Sequence, residues 1–436
     1  MSIPRYTSRV AEISSSAEGN WADLTEDKLR ALVRAWVTEN WDPGLSLRAW
    51  RERLVASGWA VPSRPVRWHG KGMPAWADDV VSSEIARCGA VAALPAGPGN
   101  LAGPTILEHG PDHLRERFLR KQLTGEEDWC QLFSEPSAGS DLAGLTTTAV
   151  LDGDEWVVNG QKVWNTRAQY ADLGLLMART DWNVPKHQGL TYFVLPMHQP
   201  GVEVRPLKEM NYHDSFNEVF ITDARIPRDW VIGEVGKGWS AALTTLAHER
   251  RFGVSGSGSL DGADPGRVAD EARQEIADVA RTYSWYPQRA GRADLVVEHA
   301  RAAGVLDDPV IRQEIARLLT MQRASQWTAQ RAKVARAVGK PPGPEGSIGK
   351  LSLSAVARQA AKVHAMIAGA RGMLAGDDPA SPLEGIIAEV LISVPAQSIA
   401  GGTDEIQKNI LGERFLGLPR EPDPAKGRPY REVRNR

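Results

Sequence analysis

The chain has 436 residues, enough to bury large hydrophobic cores, and this length suggests two or three domains. Its net charge of −2 offers no global basic surface, so we expect no nucleic-acid partner. Two cysteines, no HExxH pattern and no run of 18 apolar residues argue against disulfides, a metal site, export or a membrane span, and we expect a cytoplasmic protein.

The N-terminal part is predicted to be helical. Residues 1–22 are polar and Ser-rich and are predicted to form a loosely held arm. Thr25 is a candidate N-cap, and apolar residues recur at helical spacing from Leu29 to Val37. Gly/Pro breaks separate four further predicted helices, over 47–57, 76–87, 100–108 and 111–123. We therefore expect a helical domain over residues 1–128.

From Trp129 the apolar period changes from 3.6 to 2, which predicts a β domain over 129–235. Asp152-Gly153-Asp154 predicts a hairpin between strands at 146–150 and 155–158, and Asn159-Gly160 predicts a second turn. Further strands are predicted at 173–178, 190–195, 202–206 and 218–221.

Two features of this β region suggest a cofactor site. The loop EPSAGSD, residues 135–141, combines Pro with small residues and could present backbone N–H groups to a ligand. Trp164 and Thr166 place a flat aromatic beside a hydroxyl donor at a strand end, where a planar cofactor could sit. The alternative is that Trp164 is an ordinary core aromatic and the loop an ordinary connection.

Residues 236–436 are predicted to be helical again. A Gly/Ser/Asp-rich stretch at 253–268 predicts a flexible connection or surface insertion. Helices are predicted over 239–251, 269–284, 293–303, 309–338, 347–374, 383–398 and 404–415. The order of the chain is therefore α, β, α.

Glu249 is the most informative ionisable residue of the helix that starts at Trp239. We expect its carboxylate at the edge of an apolar stripe formed by Trp239, Leu243 and Leu246. A partly buried carboxylate has a raised pKa and is a better base near neutral pH. The alternative is a surface Glu paired with a neighbouring arginine.

Five segments occur in the following order: SEPSAGSDLAG, VNGQKVW, FNEVFITDARIP, LAHERR and IAGGTDEIQKNILGERFLGLPRE. In this order and at these separations they resemble the acyl-CoA dehydrogenase flavoprotein family, from about Leu29 to Glu421. The resemblance implies an α+β fold with a helical N-terminal domain, a β-barrel-like middle domain and a C-terminal four-helix bundle. It also implies FAD as cofactor, an acyl-CoA substrate, an electron-transferring flavoprotein as partner, and a homodimer or homotetramer.

The resemblance also implies a position for the catalytic base. In one branch, which includes isovaleryl-CoA dehydrogenase, the base precedes Arg in an LxxER segment, which is LAHER here and gives Glu249. Many other members place it immediately before Gly-Thr, where this chain has Gly401, which cannot abstract a proton. By resemblance the backbone N–H of Gly401 instead supports the thioester oxygen. Asp404 and Glu405 are the runner-up carboxylates.

The remaining roles that the resemblance implies concern cofactor and substrate. The flavin contacts are Gln131, Phe133 and Ser134 at the pyrimidine edge, Trp164 over a ring face, Thr166 near N5, and Thr403 and Glu405 on the phosphate or ribose side. Ser140 lies near the thioester and pantetheine arm, and Arg250 holds the base. The alternative for Thr403 and Glu405 is helix capping, which is compatible with flavin contact.

Three departures from the family pattern are visible. Ser137 replaces a usual Gly, residues 281–286 lack the family's Arg-x-x-Phe-Gly segment, and 366–370 depart from its Gln-Ile-x-Gly-Gly segment. Since the latter two reach a neighbouring subunit's FAD in the family, a catalytically silent subunit paired with an active paralogue is one alternative function. A flavin oxidase or monooxygenase is another. The acyl group is not determined by the sequence.

Overall fold

The computed structural model describes residues 21–92, 98–252, 260, 262–337, 343–376 and 378–433. The chain forms two compact units, the first made of 1–206, 216–282 and 427–436 and the second of 207–215 and 283–426. Of the predicted arm and the predicted connection at 253–268, residues 1–20, 253–259 and 261 lie outside the described part. Asp264, in the described remainder of that connection, accepts a 2.8 Å hydrogen bond from Trp41 Nε1.

The N-terminal helices of the first unit follow the predicted pattern closely. They are α1 (Glu26–Asn40), α2 (Leu47–Ser57), α3 (Ala77–Arg87), α4 (Ala102–His109) and α5 (Asp112–Thr124). The Thr25 side chain caps α1 by accepting from the backbone N–H of Lys28, as predicted. Leu29, Val33 and Val37 lie in the hydrophobic core that α1 shares with α2 and α3.

A seven-stranded sheet follows these helices. Its strands are β1 (Trp129–Leu132), β2 (Thr148–Asp152), β3 (Glu155–Lys162), β4 (Leu173–Arg179), β5 (Leu190–Pro196), β6 (Val202–Leu207) and β7 (Phe216–Pro227). The order is β1-β4-β2-β3-β7-β6, and β5 pairs with β4. The predicted hairpin is confirmed, because Asp152 pairs with Glu155 across a two-residue turn.

The second predicted turn, at Asn159-Gly160, is wrong. β3 continues through it, and its pairing with β7 shifts register between Val158 and Gly160, which marks a bulge. Asn159 exchanges two hydrogen bonds with Asp223 of β7, so its side chain supports the irregularity that the sequence pattern suggested was a chain reversal.

The C-terminal helices are divided between the units. They are α6 (Gly238–Phe252), α7 (Arg267–Thr282), α8 (Tyr286–Arg289), α9 (Val296–Ala302), α10 (Pro309–Ala337), α11 (Glu345–Ala368), α12 (Ile386–Gln397), α13 (Asp404–Ile410) and α14 (Tyr430–Val433). Of these, α6, α7 and α14 belong to the first unit. The predicted α+β class, with a helical N-terminus, a middle sheet and a helical C-terminus, is confirmed.

The second unit is built around α10, α11 and α12. Buried residues of α9, α10 and α11 form one core, and a smaller core joins α11 to α12. Among the described residues, no helix combines the length and apolarity needed to cross a bilayer.

Candidate active site

Strand β1 and the two residues that follow it supply the predicted cofactor contacts Gln131, Phe133 and Ser134. Among the described strands β1 pairs only with β4, so its other edge carries backbone groups that no strand uses. The backbone N–H of Val163 donates to Ser134 O at 2.9 Å, which holds the end of β3 beside this edge. Ser134 is half-buried, and Phe133 is buried.

Trp164 follows the end of β3 and is not a core aromatic. Its side chain is 56% exposed, its φ is +64°, and its ring meets Phe216 edge-on at 5.6 Å. A positive φ is uncommon for a bulky residue and is often found at functional sites. The alternative reading of Trp164 as a core residue is therefore wrong, and the indole presents an open face beside half-buried Thr166.

The position of Trp164 depends on Asn165 and Asn217, whose roles the sequence analysis missed. The two residues exchange backbone hydrogen bonds of 3.1 Å, and Asn217 Nδ2 also donates to Asn165 O. Asn165 Nδ2 donates to Gln131 O at 2.8 Å, while its buried Oδ1 has no partner. An exposed indole, an open strand edge and this orphaned acceptor fit a planar heteroaromatic group with hydrogen-bonding edges.

A buried ion pair anchors the EPSAGSD loop. Glu135 accepts from Lys162 Nζ at 2.9 Å, from Thr146 N at 2.6 Å and from Thr147 N at 2.9 Å. Lys162 also donates to Phe133 O at 3.1 Å, so the pair fixes the backbone of β1's extension. Burial opposes ionisation of Glu135, but Lys162 and these donors lower its pKa to about 2.

Ser140 lies farther along this loop and is exposed. The loop is closed at one end by paired backbone hydrogen bonds of 3.0 Å between Glu135 and Ala138. Asp141, next to Ser140, pairs with Lys186 Nζ at 2.8 Å. Ser140 is therefore presented to solvent from a loop with two anchors.

Glu249 lies on α6, and the predicted apolar stripe is confirmed at Trp239 and Leu246, which pack against the core. It is wrong at Leu243, which is 40% exposed, whereas Ala241, Ala242 and Thr245 are buried. These small side chains let α6 pack closely on α4 and β5. Glu249, one turn after Thr245, is half-buried on the face that packs inward.

A series of contacts links Thr245, one turn before Glu249, to Phe133 within the first unit. Thr245 Oγ1 lies 2.8 Å from Thr105 Oγ1 and 3.0 Å from Tyr192 Oη. The Tyr192 ring meets Phe133 edge-on at 5.6 Å. Burial raises the pKa of Tyr192; the hydrogen bond with Thr245 opposes this shift and the negative charge of Glu249 adds to it. The side chain of Arg250 lies outside the described part.

The glycine-rich segment belongs to the second unit. Gly401 and Gly402 have φ of +67° and +83°, and Gly401 is exposed. Thr403 caps α13 by accepting from Ile406 N at 3.2 Å, which confirms the capping interpretation. Glu405 is exposed in the first turn of α13.

Asp404 is poorly suited to act as a base. It is 4% exposed and accepts from Arg358 Nη1 at 2.7 Å. Burial opposes its ionisation, yet hydrogen bonds from Arg358 and Ser354 hold its pKa below the ordinary value. A carboxylate stabilised in its charged form accepts a proton less readily.

Of the segment that departs from the family at 281–286, residues 283–286 form an aromatic cluster in the second unit. Trp285 is 2% exposed, donates to Ser215 Oγ at 2.8 Å and stacks on His213. His213 lies 2.8 Å from Glu389 of α12. Trp285 thus holds the 207–215 segment within its own unit.

Family models for the N-terminal, middle and C-terminal domains of acyl-CoA dehydrogenases match residues 19–126, 130–224 and 291–416. The acyl-CoA dehydrogenase IpdE1 of Mycobacterium tuberculosis is 35% identical, with 92% of this chain and 99% of the relative covered. The short-chain specific acyl-CoA dehydrogenase from mitochondria of Bos taurus is 27% identical, with 81% and 78% covered.

Solved structures also match the chain. The Tcur3481-Tcur3483 steroid ACAD matches with a TM-score of 0.61 and 25% identity, covering 93% of this chain and all (100%) of that one. The ChsE4-ChsE5 complex from Mycobacterium tuberculosis matches with a TM-score of 0.60 and 25% identity, covering 92% and 99%.

Proposed function

The chain belongs to the acyl-CoA dehydrogenase family, and on that premise we propose that Glu249 removes the α-proton of an acyl-CoA thioester, with a trans-2-enoyl-CoA as product. This places the chain in the branch whose base lies on the LxxER helix. The main support is that Glu249 is half-buried on α6, one turn after Thr245, whose hydroxyl lies 3.0 Å from that of Tyr192.

FAD is the cofactor of this family and, when bound, accepts the hydride that leaves the β-carbon. We propose that the open edge of β1, through Gln131, Phe133 and Ser134, binds the pyrimidine edge of the flavin. Trp164 covers one ring face, and Thr166 lies near N5. The proposed contacts on the phosphate or ribose side are Thr403 and Glu405.

The thioester needs electrostatic support as its α-carbon becomes anionic. The backbone N–H of Gly401 is the proposed donor to the thioester oxygen, and preorganised donors of this kind contribute several kcal/mol. Ser140 contacts the pantetheine arm, and Arg250 helps to hold Glu249. Asp404 is a weaker candidate for the base than Glu249, because its lowered pKa makes its carboxylate a poorer proton acceptor.

The proposed electron acceptor is an electron-transferring flavoprotein. For the acyl group we propose a bulky or branched chain, in keeping with a base on the helix and with a structural relative described as a steroid ACAD. Anaerobic bleaching of bound FAD by straight-chain, branched-chain and steroid-derived acyl-CoAs ranks these substrates directly.

Glu249→Gln tests the assignment of the base. The variant keeps the size and polarity of the side chain, so FAD stays bound, while reduction by acyl-CoA slows by ~10²–10⁴-fold or more. Glu234→Gln, an exposed substitution before α6, is the control and retains the wild-type rate. Reduction of Glu249→Gln at near wild-type rate would reject Glu249 and make Glu405 the next candidate.

A second candidate function is that of a subunit paired with an active paralogue. It is favoured by the aromatic cluster at Trp285, which replaces the family's inter-subunit FAD segment, and by the match to the ChsE4-ChsE5 complex, a structure of two named chains. The chain expressed alone then binds little FAD and gains it on mixing with its partner. Stoichiometric FAD in a homo-oligomer excludes this candidate.

A further inference from the structure

The C-terminal segment, residues 427–433, returns to the sheet of the first unit. Its backbone donates from Tyr430 N to Val184 O at 2.9 Å and from Arg431 N to Trp182 O at 3.1 Å. The Tyr430 side chain is 7% exposed, and its ring stacks on Trp182 at 5.6 Å with an interplanar angle of 20°. This short segment is therefore firmly docked.

Arg179, at the end of β4, lies beneath the Tyr430 ring. Its side chain is fully buried, and its Cζ is 3.9 Å from the centre of the Tyr430 ring and 5.3 Å from that of Trp182. A guanidinium packed against an aromatic ring gains cation–π stabilisation that grows as water is excluded. The C-terminal segment thus covers a buried cation.

Arg179 and Tyr430 together bind three consecutive carbonyls of one turn. Arg179 Nη2 donates to Ala143 O at 2.7 Å, and its Nε donates to Leu145 O at 3.2 Å. The Tyr430 hydroxyl donates to Gly144 O between them. These carbonyls belong to the 3₁₀ turn that starts two residues after Ser140.

We propose that the C-terminal segment is a positioning element for the acyl-CoA, in which Tyr430 and Arg179 fix the turn that directly follows Ser140 and Asp141. This inference rests on the proposed function, because Ser140 matters only if it contacts the pantetheine arm. The Asp141–Lys186 pair holds the exposed side of the same turn. A loop that is already fixed loses little conformational entropy when the substrate binds. Loss of the Tyr430 contacts is therefore expected to raise KM and to leave kcat nearly unchanged.

The experiment compares the FAD-bound wild type with Tyr430→Ala, Tyr430→Phe and a chain that ends at Lys426. Arg431→Ala is the control, because its side chain is exposed while its backbone bond to Trp182 is kept. Amide hydrogen exchange over residues 139–146 reports on the turn without any substrate. We expect exchange about tenfold faster in Tyr430→Ala and the truncated chain, a smaller change in Tyr430→Phe, and none in Arg431→Ala.

Kinetics with an acyl-CoA that bleaches the flavin supply the second measurement. We expect KM to rise about tenfold in Tyr430→Ala with kcat within about twofold of wild type, and Tyr430→Phe to lie between the two because it keeps the ring over Arg179. Unchanged exchange at 139–146 in both Tyr430→Ala and the truncated chain overturns the inference. So does faster exchange with an unchanged KM.

The two proposals fail in different ways. If no acyl-CoA reduces the wild-type flavin, the proposed function fails, and the positioning role fails with it, although faster exchange still assigns the restraint of the turn to Tyr430. If the wild type is reduced but Tyr430→Ala and Arg431→Ala share one KM, only the positioning role fails. Tyr430→Phe decides the question if the Ala variant does not fold.

Discussion

At the scale of single residues, Glu135 and Lys162 show how charge is used beneath the EPSAGSD loop. Both side chains are buried, and each also binds backbone, Glu135 through the N–H groups of Thr146 and Thr147 and Lys162 through Phe133 O. A buried ion pair fixes the local geometry when its remaining hydrogen-bonding groups also have partners. Removal of one member leaves the other as an unpaired buried charge. The pair therefore connects stability to the flavin-binding backbone.

Glu135 gives the protein a specific acid sensitivity. Its pKa falls from 4.5 to about 2 on folding, so its stabilisation is complete above pH 4.5 and is lost as pH falls toward 2. The full contribution is about 3 kcal/mol of unfolding free energy. Urea unfolding between pH 6 and pH 2 measures it; Glu135→Gln lacks this component, whereas Glu155→Gln, at an exposed position, keeps it.

Removal of Lys162 is expected to be costly. Lys162→Met leaves Glu135 buried without its cation, which destabilises by about 3–5 kcal/mol and releases FAD because Phe133 O loses its donor. The double variant Lys162→Met/Glu135→Gln loses less than the sum of the single variants, as coupled sites do. Additive losses in Tm and FAD content would contradict the coupling.

At the scale of elements, the β3 bulge shows that strand pairing in the sheet can prevent a turn that the local sequence favours. Asn-Gly is a strong turn signal, yet β3 runs on because β7 pairs with it on both sides of Gly160. A Cβ on Gly160 would lie 2.2 Å from Thr147 Oγ1 and 2.8 Å from its Cα. Gly is required here by close approach of two strands, not by chain reversal.

Gly160→Ala tests that explanation. The added methyl group meets backbone and side chain of Thr147, and we expect a loss of about 1–3 kcal/mol of unfolding free energy. Gly139→Ala in the same unit is the matched control, because nothing lies within 4 Å of its Cβ position. Equal stability of the two variants, measured by thermal unfolding of the apoprotein, would remove the steric argument.

Helix α6 shows the same priority of packing over local pattern. Its large apolar residue Leu243 is exposed, while Ala241, Ala242 and Thr245 are buried and Trp239 and Leu246 pack against the core. A helix that packs closely on a sheet needs small residues, whereas periodicity analysis weights large ones. Glu249 follows the small-residue face, and the resemblance placed the base at this residue independently of the stripe.

At the scale of the whole molecule, exposed apolar side chains on α10 indicate an interface. Leu319, Trp327 and Val334 are 47%, 65% and 63% exposed. Large exposed apolar surfaces mark association sites in proteins of this size. We therefore expect the chain to assemble through this helix, with itself or with a paralogue.

Trp327→Glu measures the importance of this surface. A charge at an interface core opposes association, so sedimentation velocity of the variant shows a smaller assembly than wild type. Gln313→Glu on the same helix adds the same charge away from these three side chains and leaves the assembly intact. Identical sedimentation of Trp327→Glu and wild type would exclude α10 as the interface.

The division into domains at 128 and 235 stays a prediction. The order of helices, sheet and helices could be predicted from the spacing of apolar residues and from Gly/Pro breaks. Both signals are local, and each element is long enough to show its own spacing. The family followed from five segments whose residue types and spacing are specific. Most helix bounds needed no tertiary information beyond caps such as Thr25.

The sequence by itself determined the fold class, the family and the position of the glycine-rich segment, since these depend on pattern and on motif identity. Only the tertiary structure decided that Leu243 of α6 is exposed, that Asn159-Gly160 is a bulge, and that Tyr430 reaches the turn after Ser140. The last contact joins residues 286 positions apart. Such contacts depend on packing between distant elements, and no local period records them.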